Sequence, residues 1–159
     1  ADADWAGDLN DRKSTSGYIF EMSGAAVSWR SKKQSCVALS TAEAEYMALS
    51  SAFQEAIWMR KLLSGLIDIT ADSLGPTLIY EDNQSAIHMS KNNQFHGRSK
   101  HIDIKYHYVR EQVAAGSIEL QYCKSEEMVA DMFTKGLNGP RFKKLRAMIG
   151  MTELKSSQD

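Results

Sequence analysis

The order of hydrophobic periods along the chain predicts an α/β domain, a mixed sheet with helices packed against its faces. Three observations carry that class. Two short β-like runs sit on either side of a turn dipeptide near the start. A long helical stretch follows, and then a continuous apolar run, "PTLIYED". Further on, "SIELQY" alternates apolar and polar residues after a second helical stretch.

Each element has its own signal. The chain opens on the acidic, turn-like "DADWAGD", into which a strand is expected to lead, so that Asp2 and Asp4 sit at the strand's exit. Tyr18–Met22 and Ala26–Trp29 form a hairpin through Ser23-Gly24. A helix is predicted from Thr41 to Leu63, stopping near Gly65. Within it Met47, Phe53, Trp58 and Met59 are assigned to core or near-core packing. The run "PTLIYED" reads as a strand buried on both faces. A short helix over Ser85–Met89 fades into the polar "KNNQFHGRSK". Ile102, Tyr106, Val109 and Val113 then recur at helical spacing as far as Gly116. Ile118, Leu120 and Tyr122 mark a strand. A last helical region holds Val129, Met132 and Phe133 and restarts after Gly139-Pro140. Its "RFKKLRAMIG" is amphipathic, suited to pack on the domain or to dock a neighbour.

Bulk properties narrow the function. A chain of 159 residues makes one domain with a sizeable core, placed at 1–151, with a frayed tail at 152–159. The net charge of −1 gives no global basic field, although local patches can still bind nucleic acid. Cys36 and Cys123 lie far apart, form no zinc pattern and read as free buried thiols in a reducing compartment. With no signal peptide and no membrane-length apolar run, a soluble, intracellular protein is expected.

The chemistry is carried by carboxylates. In "LSTAEAEYMALSSAF", Ser40-x-x-Glu43 matches a capping box, which gives Glu43 a local task. Glu45 instead shares its helix face with Leu49, Ala52, Phe53 and Ala56. A lone buried carboxylate costs several kcal/mol or takes up a proton. It therefore either snorkels to water, pairs with an arginine, or shares a metal ion with other carboxylates. Asp82 ends "LIYED" at the mouth of a central strand, where open α/β sheets place functional groups, or else caps the next helix. Asp131 in "EEMVADMF" lies in the first turns of the last helix, where an acidic residue also suits the helix dipole. Asp2 and Asp4 are open to simple turn chemistry. Together, Asp, Glu, Asp, Asp on strand, helix, strand and helix is a far more specific set. Hard cations such as Mg²⁺ take oxygen ligands from it, and two such ions roughly 3.5–4 Å apart serve phosphodiester hydrolysis.

In "DADWAGD…DRKSTSGYIF", "VSWRSKKQ", "LSTAEAEYMAL", "IYEDNQSAI", "SKHIDIKYHYVRE" and "ADMFTKGL" the sequence resembles the ribonuclease H domain of copia-type LTR retrotransposon polyproteins. These stretches run in family order from about residue 2 to 151. The resemblance implies an RNase H-like fold with a five-stranded mixed sheet flanked by helices. It implies a Mg²⁺-dependent endonuclease, with Mn²⁺ as a substitute ion, that cleaves the RNA strand of RNA/DNA hybrids during reverse transcription. It also implies an adjoining reverse transcriptase domain and a cytoplasmic virus-like particle. Matching motif to motif, A-D-A-D selects Asp2 over Asp4, A-E-Y-M-A-L selects Glu45, E-D-N-Q gives Asp82, and Asp131 is the fourth catalytic and metal-binding carboxylate. Cellular relatives carry a histidine in the loop before the last helix, and here that loop reads "CKSEEMVAD". Two other classes stand as alternatives: an integrase-like strand-transfer enzyme, which would place its glutamate last, and a catalytically silent or domesticated scaffold.

For nucleic acid, Arg30, Lys32 and Lys33, with Arg12 and Lys13, cluster around the hairpin, and Arg98 and Lys100 precede a helix. Such cations position phosphates without reading sequence. Asn83 and Gln84 beside Asp82 are placed to bond sugar or base edges in the minor groove of a hybrid. His101, Asp103 and His107 invite a metal reading, but an Asp103–His107 ion pair at i, i+4 explains them as well.

Overall fold

The computed structural model describes residues 1–68, 70, 73–92 and 100–152, without the side chains of 100–102. Strands β1 (Asp2–Asp4), β2 (Thr15–Met22) and β3 (Ala25–Lys33) form an antiparallel sheet in that order. The β2–β3 turn has positive φ at Ser23 (54°) and Gly24 (80°), the pair of left-handed residues that matches strand twist in a two-residue hairpin. Helix α1 (Thr41–Leu66) follows, then β4 (Thr77–Glu81), α2 (Gln84–Lys91), α3 (Lys100–Ala114) and β5 (Ile118–Tyr122). Strand β5 pairs parallel with β4, from Thr77↔Ile118 to Glu81↔Tyr122. Two 3-10 segments, Ser125–Glu127 and Val129–Phe133, lead to α4 (Gly139–Met148).

The class is α/β and compatible with an RNase H-like fold, but the five strands do not share one sheet. Among the described residues they form a three-stranded antiparallel sheet and a two-stranded parallel one. Between them the Ala1 amine donates to the Tyr80 carbonyl at 2.8 Å. Strand β1 is three residues long, too short to carry a ladder from one sheet to the other.

Helix α1 holds the two halves together. Leu49, Ala52, Phe53 and Ala56 are almost fully buried and pack with Tyr18, Ile79, Tyr106, Val109, Ile118 and Leu120. Burying a side chain of Phe53's size is worth about 1.5–3 kcal/mol. A second cluster, Ala3, Ala38, Ala44, Met47 and Ala48, seats the start of α1 on β1, the small side chains permitting close approach. At the other end the buried Arg60 guanidinium donates to the carbonyls of Gly75 (2.6 Å) and Leu74 (2.8 Å), tying the entry to β4 onto α1.

Several local expectations need correction. Helix α1 runs through Gly65 to Leu66, because one glycine costs a helix only about 1 kcal/mol and the backbone bonding continues past it, the Ile67 N–H donating to the Leu63 carbonyl. Trp58 is more than half exposed and belongs to no core cluster. Strand β4 buries Ile79 and Glu81 but leaves Leu78 and Tyr80 nearly half exposed, so it is covered on one face. Ser40 caps α1 through Glu43 N–H at 3.2 Å, while the Glu43 carboxylate takes the N–H of Leu39, one residue earlier than the capping box requires. The two cysteines are free and half-buried. Asp103 and His107 form no ion pair among the described residues, and the Arg98 side chain and those of Lys100 and His101 lie outside them. So does the tail from 153 onward. No helix of the described residues is long and apolar enough to cross a membrane.

Gly17 in β2 passes directly beneath the 3-10 segment that carries Asp131. A Cβ there would stand 2.7 Å from Thr134 Cγ2 and 2.9 Å from Phe133 Cβ. Gly17→Ala is expected to destabilise the domain by about 1–3 kcal/mol, the usual cost of overpacking. Chemical denaturation measures this, and an unchanged midpoint would show that the segment yields freely.

A buried carboxylate centre

Asp2, Glu45 and Asp82 each place a carboxylate oxygen within 4.8 Å of the others. The topology explains the meeting. Pairing Asp2↔Gly17 fixes β1, and the small-residue contact seats α1 across it, turning Glu45 inward. The bond from Ala1 to Tyr80 brings the end of β4, and with it Asp82, beside Asp2. Asp82 is not the cap of α2. Asn83 has that task, its Oδ1 accepting the Ala86 N–H at 3.1 Å. Asp4 stays outside the group.

Asp131 is placed differently from expectation. It lies on the 3-10 segment rather than on the last helix, which begins at Gly139. Its buried carboxylate is ion-paired with Lys135 (2.6 Å) and with Arg141, which also donates to the Ser125 carbonyl. It is not among the three carboxylates that lie within 4.8 Å of one another, but its carboxyl group sits against that of Asp2 and helps to raise the Asp2 pKa. The Lys135 ammonium connects the two, standing 3.8 Å from Asp2 Oδ2, while the Thr134 hydroxyl donates to that same oxygen.

Sequence reasoning missed Glu81, Thr134, Lys135 and Arg141. Glu81 is fully buried and shares its strand face with Ile79, a relation the two-residue period of β4 already contains. Thr134 and Lys135 stand at i+3 and i+4 from Asp131, the spacing of neighbours on one helical face. Nothing in the sequence pointed to Arg141, which comes from the following helix.

The electrostatics are strained throughout. Burial first, and then Glu81, Asp2 and Asp82, push Glu45 from 4.5 up to about 10. Burial lifts Asp2 from 3.8 to about 6 against the opposing Thr134 hydrogen bond and Lys135 charge. Burial also carries Glu81 from 4.5 to about 8. One oxygen of Glu45 and one of Glu81 are buried without a hydrogen-bond donor among the described residues. Burial works against the charge of Lys135, but Asp131 and Asp2 hold its pKa above the ordinary value.

Three convergent carboxylates with an undonated oxygen suit a hard divalent cation, which takes oxygen ligands and offsets like charge. Asp2, Glu45 and Asp82 are the residues that would hold it.

The residues expected to meet nucleic acid lie on two surfaces. Arg30, Lys32 and Lys33 are exposed on β3, but Lys33 is committed to Asp8 and to Asp11 (2.9 Å). Gln84 is exposed at the start of α2, beside Asp82, whereas Asn83 spends its side-chain oxygen on capping.

Fold and site together define an α/β domain built around a buried, oxygen-rich acidic centre. Its homologues are Pol polyproteins of retrotransposons, matched over nearly the whole chain. The chain is 44% identical over 150 residues, 94% of its length, to the retrovirus-related Pol polyprotein from transposon TNT 1-94 of Nicotiana tabacum. It is 39% identical over 158 residues to that from transposon RE1 and 36% identical over 157 residues to that from RE2, both of Arabidopsis thaliana and each covering 99% of the chain. The chain spans only 10–11% of the length of these relatives. No protein-family model and no solved structure matches it.

Two outcomes follow from the charges. A carboxyl with a raised folded pKa holds more protons folded than unfolded, so stability falls as pH rises from the unfolded to the folded value. For Asp2 that window runs from 3.8 to about 6, and for Glu81 from 4.5 to about 8. In chelator, the thermal midpoint is expected to fall between about pH 5 and about pH 8, and the stabilisation added by Mg²⁺ to grow over the same range. A midpoint that rises with pH in chelator would contradict this arrangement. Lys135→Met is expected to lower the midpoint in chelator, by uncovering buried Asp131, and to enlarge the Mg²⁺-induced shift relative to wild type. Thermal shift titrations read both, and an equal or smaller shift would show that Lys135 does not compete with the cation.

Proposed function

We propose that this domain is the ribonuclease H of a copia-type retrotransposon Pol polyprotein, a divalent-metal-dependent endonuclease acting on the RNA strand of RNA/DNA hybrids. The observation that carries the reading is the convergence of Asp2, Glu45 and Asp82 within 4.8 Å, from β1, α1 and the end of β4. The homology to retrotransposon Pol polyproteins supports it, since reverse transcription leaves RNA paired with DNA.

In this reading Asp2, Glu45 and Asp82 hold Mg²⁺ or Mn²⁺, and Asp131, linked to Asp2 through Lys135, is the fourth carboxylate of the centre. When bound, the cations activate water and stabilise the leaving oxygen of a phosphodiester. Thr134 orients the Asp2 carboxylate by its hydroxyl, and Arg141 holds Asp131 in place. The exposed Gln84, beside Asp82, is positioned to meet the sugar edge of the RNA strand, where the 2′-hydroxyl distinguishes it from DNA. Arg30 and Lys32 supply phosphate contacts without sequence preference. The adjoining polymerase portion of the polyprotein delivers the hybrid, inside a cytoplasmic virus-like particle.

A labelled RNA/DNA hybrid, incubated with Mg²⁺ beside single-stranded RNA and duplex DNA, tests this. Only the RNA of the hybrid should be cut, and Asp82→Asn should abolish the cutting. Cleavage that survives Asp82→Asn, or no cleavage by well-folded wild type, would sink the proposal. The two glutamates of α1 give a sharper internal comparison. Glu43→Gln is expected to keep most activity, since glutamine also accepts at a helix start. Glu45→Gln is expected to lose more than about 100-fold, beyond the usual effect of removing an outer-shell partner. The reverse ranking would show that Glu43 belongs to the centre and Glu45 does not.

A further inference from the structure

Glu81 is fully buried at the end of β4, next to Asp82, and lies outside the three carboxylates that meet within 4.8 Å. Its two oxygens are placed differently. Oε1 accepts the Asn83 N–H at 3.1 Å, a bond that spans Asp82. Asn83 in turn accepts the Ala86 N–H on its Oδ1 at 3.1 Å, and the Glu81 carbonyl accepts the Cys123 N–H at 3.0 Å. Asp82 thus sits in a turn anchored to the end of β5 on one side and to the start of α2 on the other. Oε2 of Glu81 has no donor among the described residues, and neither has Oε2 of Glu45. Among the carboxyls that act on Glu45, Glu81 acts most strongly, ahead of Asp2 and Asp82.

For the fold alone this residue is an unfavourable choice. Strand β4 turns Glu81 to the same face as Ile79, which packs in the main core. A leucine would fill that face without a buried polar atom. A glutamine would keep the bond to Asn83 and bring an N–H donor to a place where two carboxyl oxygens lack one. A buried carboxyl with an unmet oxygen lowers stability, and rules of this kind are broken chiefly at functional sites.

We propose that Glu81 is a positioning residue of the cation centre: it holds the Asp82 turn, keeps Glu45 in need of a cation, and so tightens the binding of a hard divalent ion. This rests on the reading of Asp2, Glu45 and Asp82 as the ligands. Glu81 acts on the ion through its neighbours. The bond to Asn83 fixes the direction of Asp82, and the like charge beside Glu45 is relieved when a cation arrives. The repulsion weakens the empty centre and disappears on binding, so stability without the ion and affinity for it move in opposite directions. Groups that support metal ligands in this way typically carry about 10–100-fold of the metal affinity.

The test compares the 159-residue chain with its Glu81→Gln and Glu81→Leu variants, all stripped of metal. Thermal midpoints are read in chelator, and Mg²⁺ is titrated calorimetrically into each protein, with Asp82→Asn as the control for the ligand set. Glu81→Gln is expected to melt higher than wild type in chelator and to bind Mg²⁺ about 10–100-fold more weakly. Glu81→Leu, which also loses the bond to Asn83, is expected to bind more weakly still. An unchanged affinity in either variant would overturn the inference. So would an affinity that falls in Glu81→Gln without a rise in its midpoint, or a failure of both variants to fold, since the carboxyl would then serve the fold alone. The reading of the centre fails separately. If wild type takes up no Mg²⁺, or Asp82→Asn takes it up equally well, the ligands are misassigned and the inference falls with them.

Discussion

Everything distinctive in this molecule depends on the mutual repulsion of carboxylates gathered where water is scarce. Asp2, Glu45 and Glu81 are each at most 6% exposed, and Asp82 completes the group at the end of β4. Isolated charges in such a place would cost many kcal/mol, so the groups must hold protons, find cations or both. The protein does some of each. Glu45 and Glu81 are pushed toward the protonated form, while Lys135 and Arg141 bring positive charge to the neighbouring Asp131. A fold that accepts this strain at its centre does so with the surrounding core in place. Phe53, Leu49 and the alanines of α1 pack normally a turn or two away from Glu45.

The weak seam of the architecture runs through the same place. Strand β1 carries Asp2 and is the shortest strand among the described residues, and there the Ala1 amine's bond to the Tyr80 carbonyl joins the two sheets across it. Helix α1 compensates by touching both halves, with the alanine-rich start on β1 and Arg60 clamping the entry to β4. The seam and the placement of Asp2 are thus one structural problem. Whatever stiffens β1 also fixes the geometry of the carboxylates.

Part of this was legible in the residues. The inward turn of Glu45 follows from its spacing to Leu49, Ala52, Phe53 and Ala56, and all five are buried together. The hairpin turn, the cap at Ser40 and the ends of β5 follow from local rules of the same kind. Most features that failed were decided by contacts between distant segments. Strand β4 lost cover on one face, while Gly65 simply cost the exposed end of α1 too little to stop it. Asp131 came to rest on a 3-10 turn, where Lys135 and Arg141 pair with it. Asp82 was ambiguous between capping and clustering in the sequence, and Asn83, one residue on, took the cap.

By itself the sequence determined the α/β class, the order of its elements, and which glutamate of "AEAEY" faces inward. These rest on short-range periods of two and 3.6 residues, which need no knowledge of the rest of the chain. Only the tertiary structure decided that Glu81 joins the acidic group, that Lys135 bridges Asp131 to Asp2, and that the strands divide into two sheets. Those outcomes depend on where separate elements meet, and charge and burial act there through space, at distances that spacing along the chain does not encode.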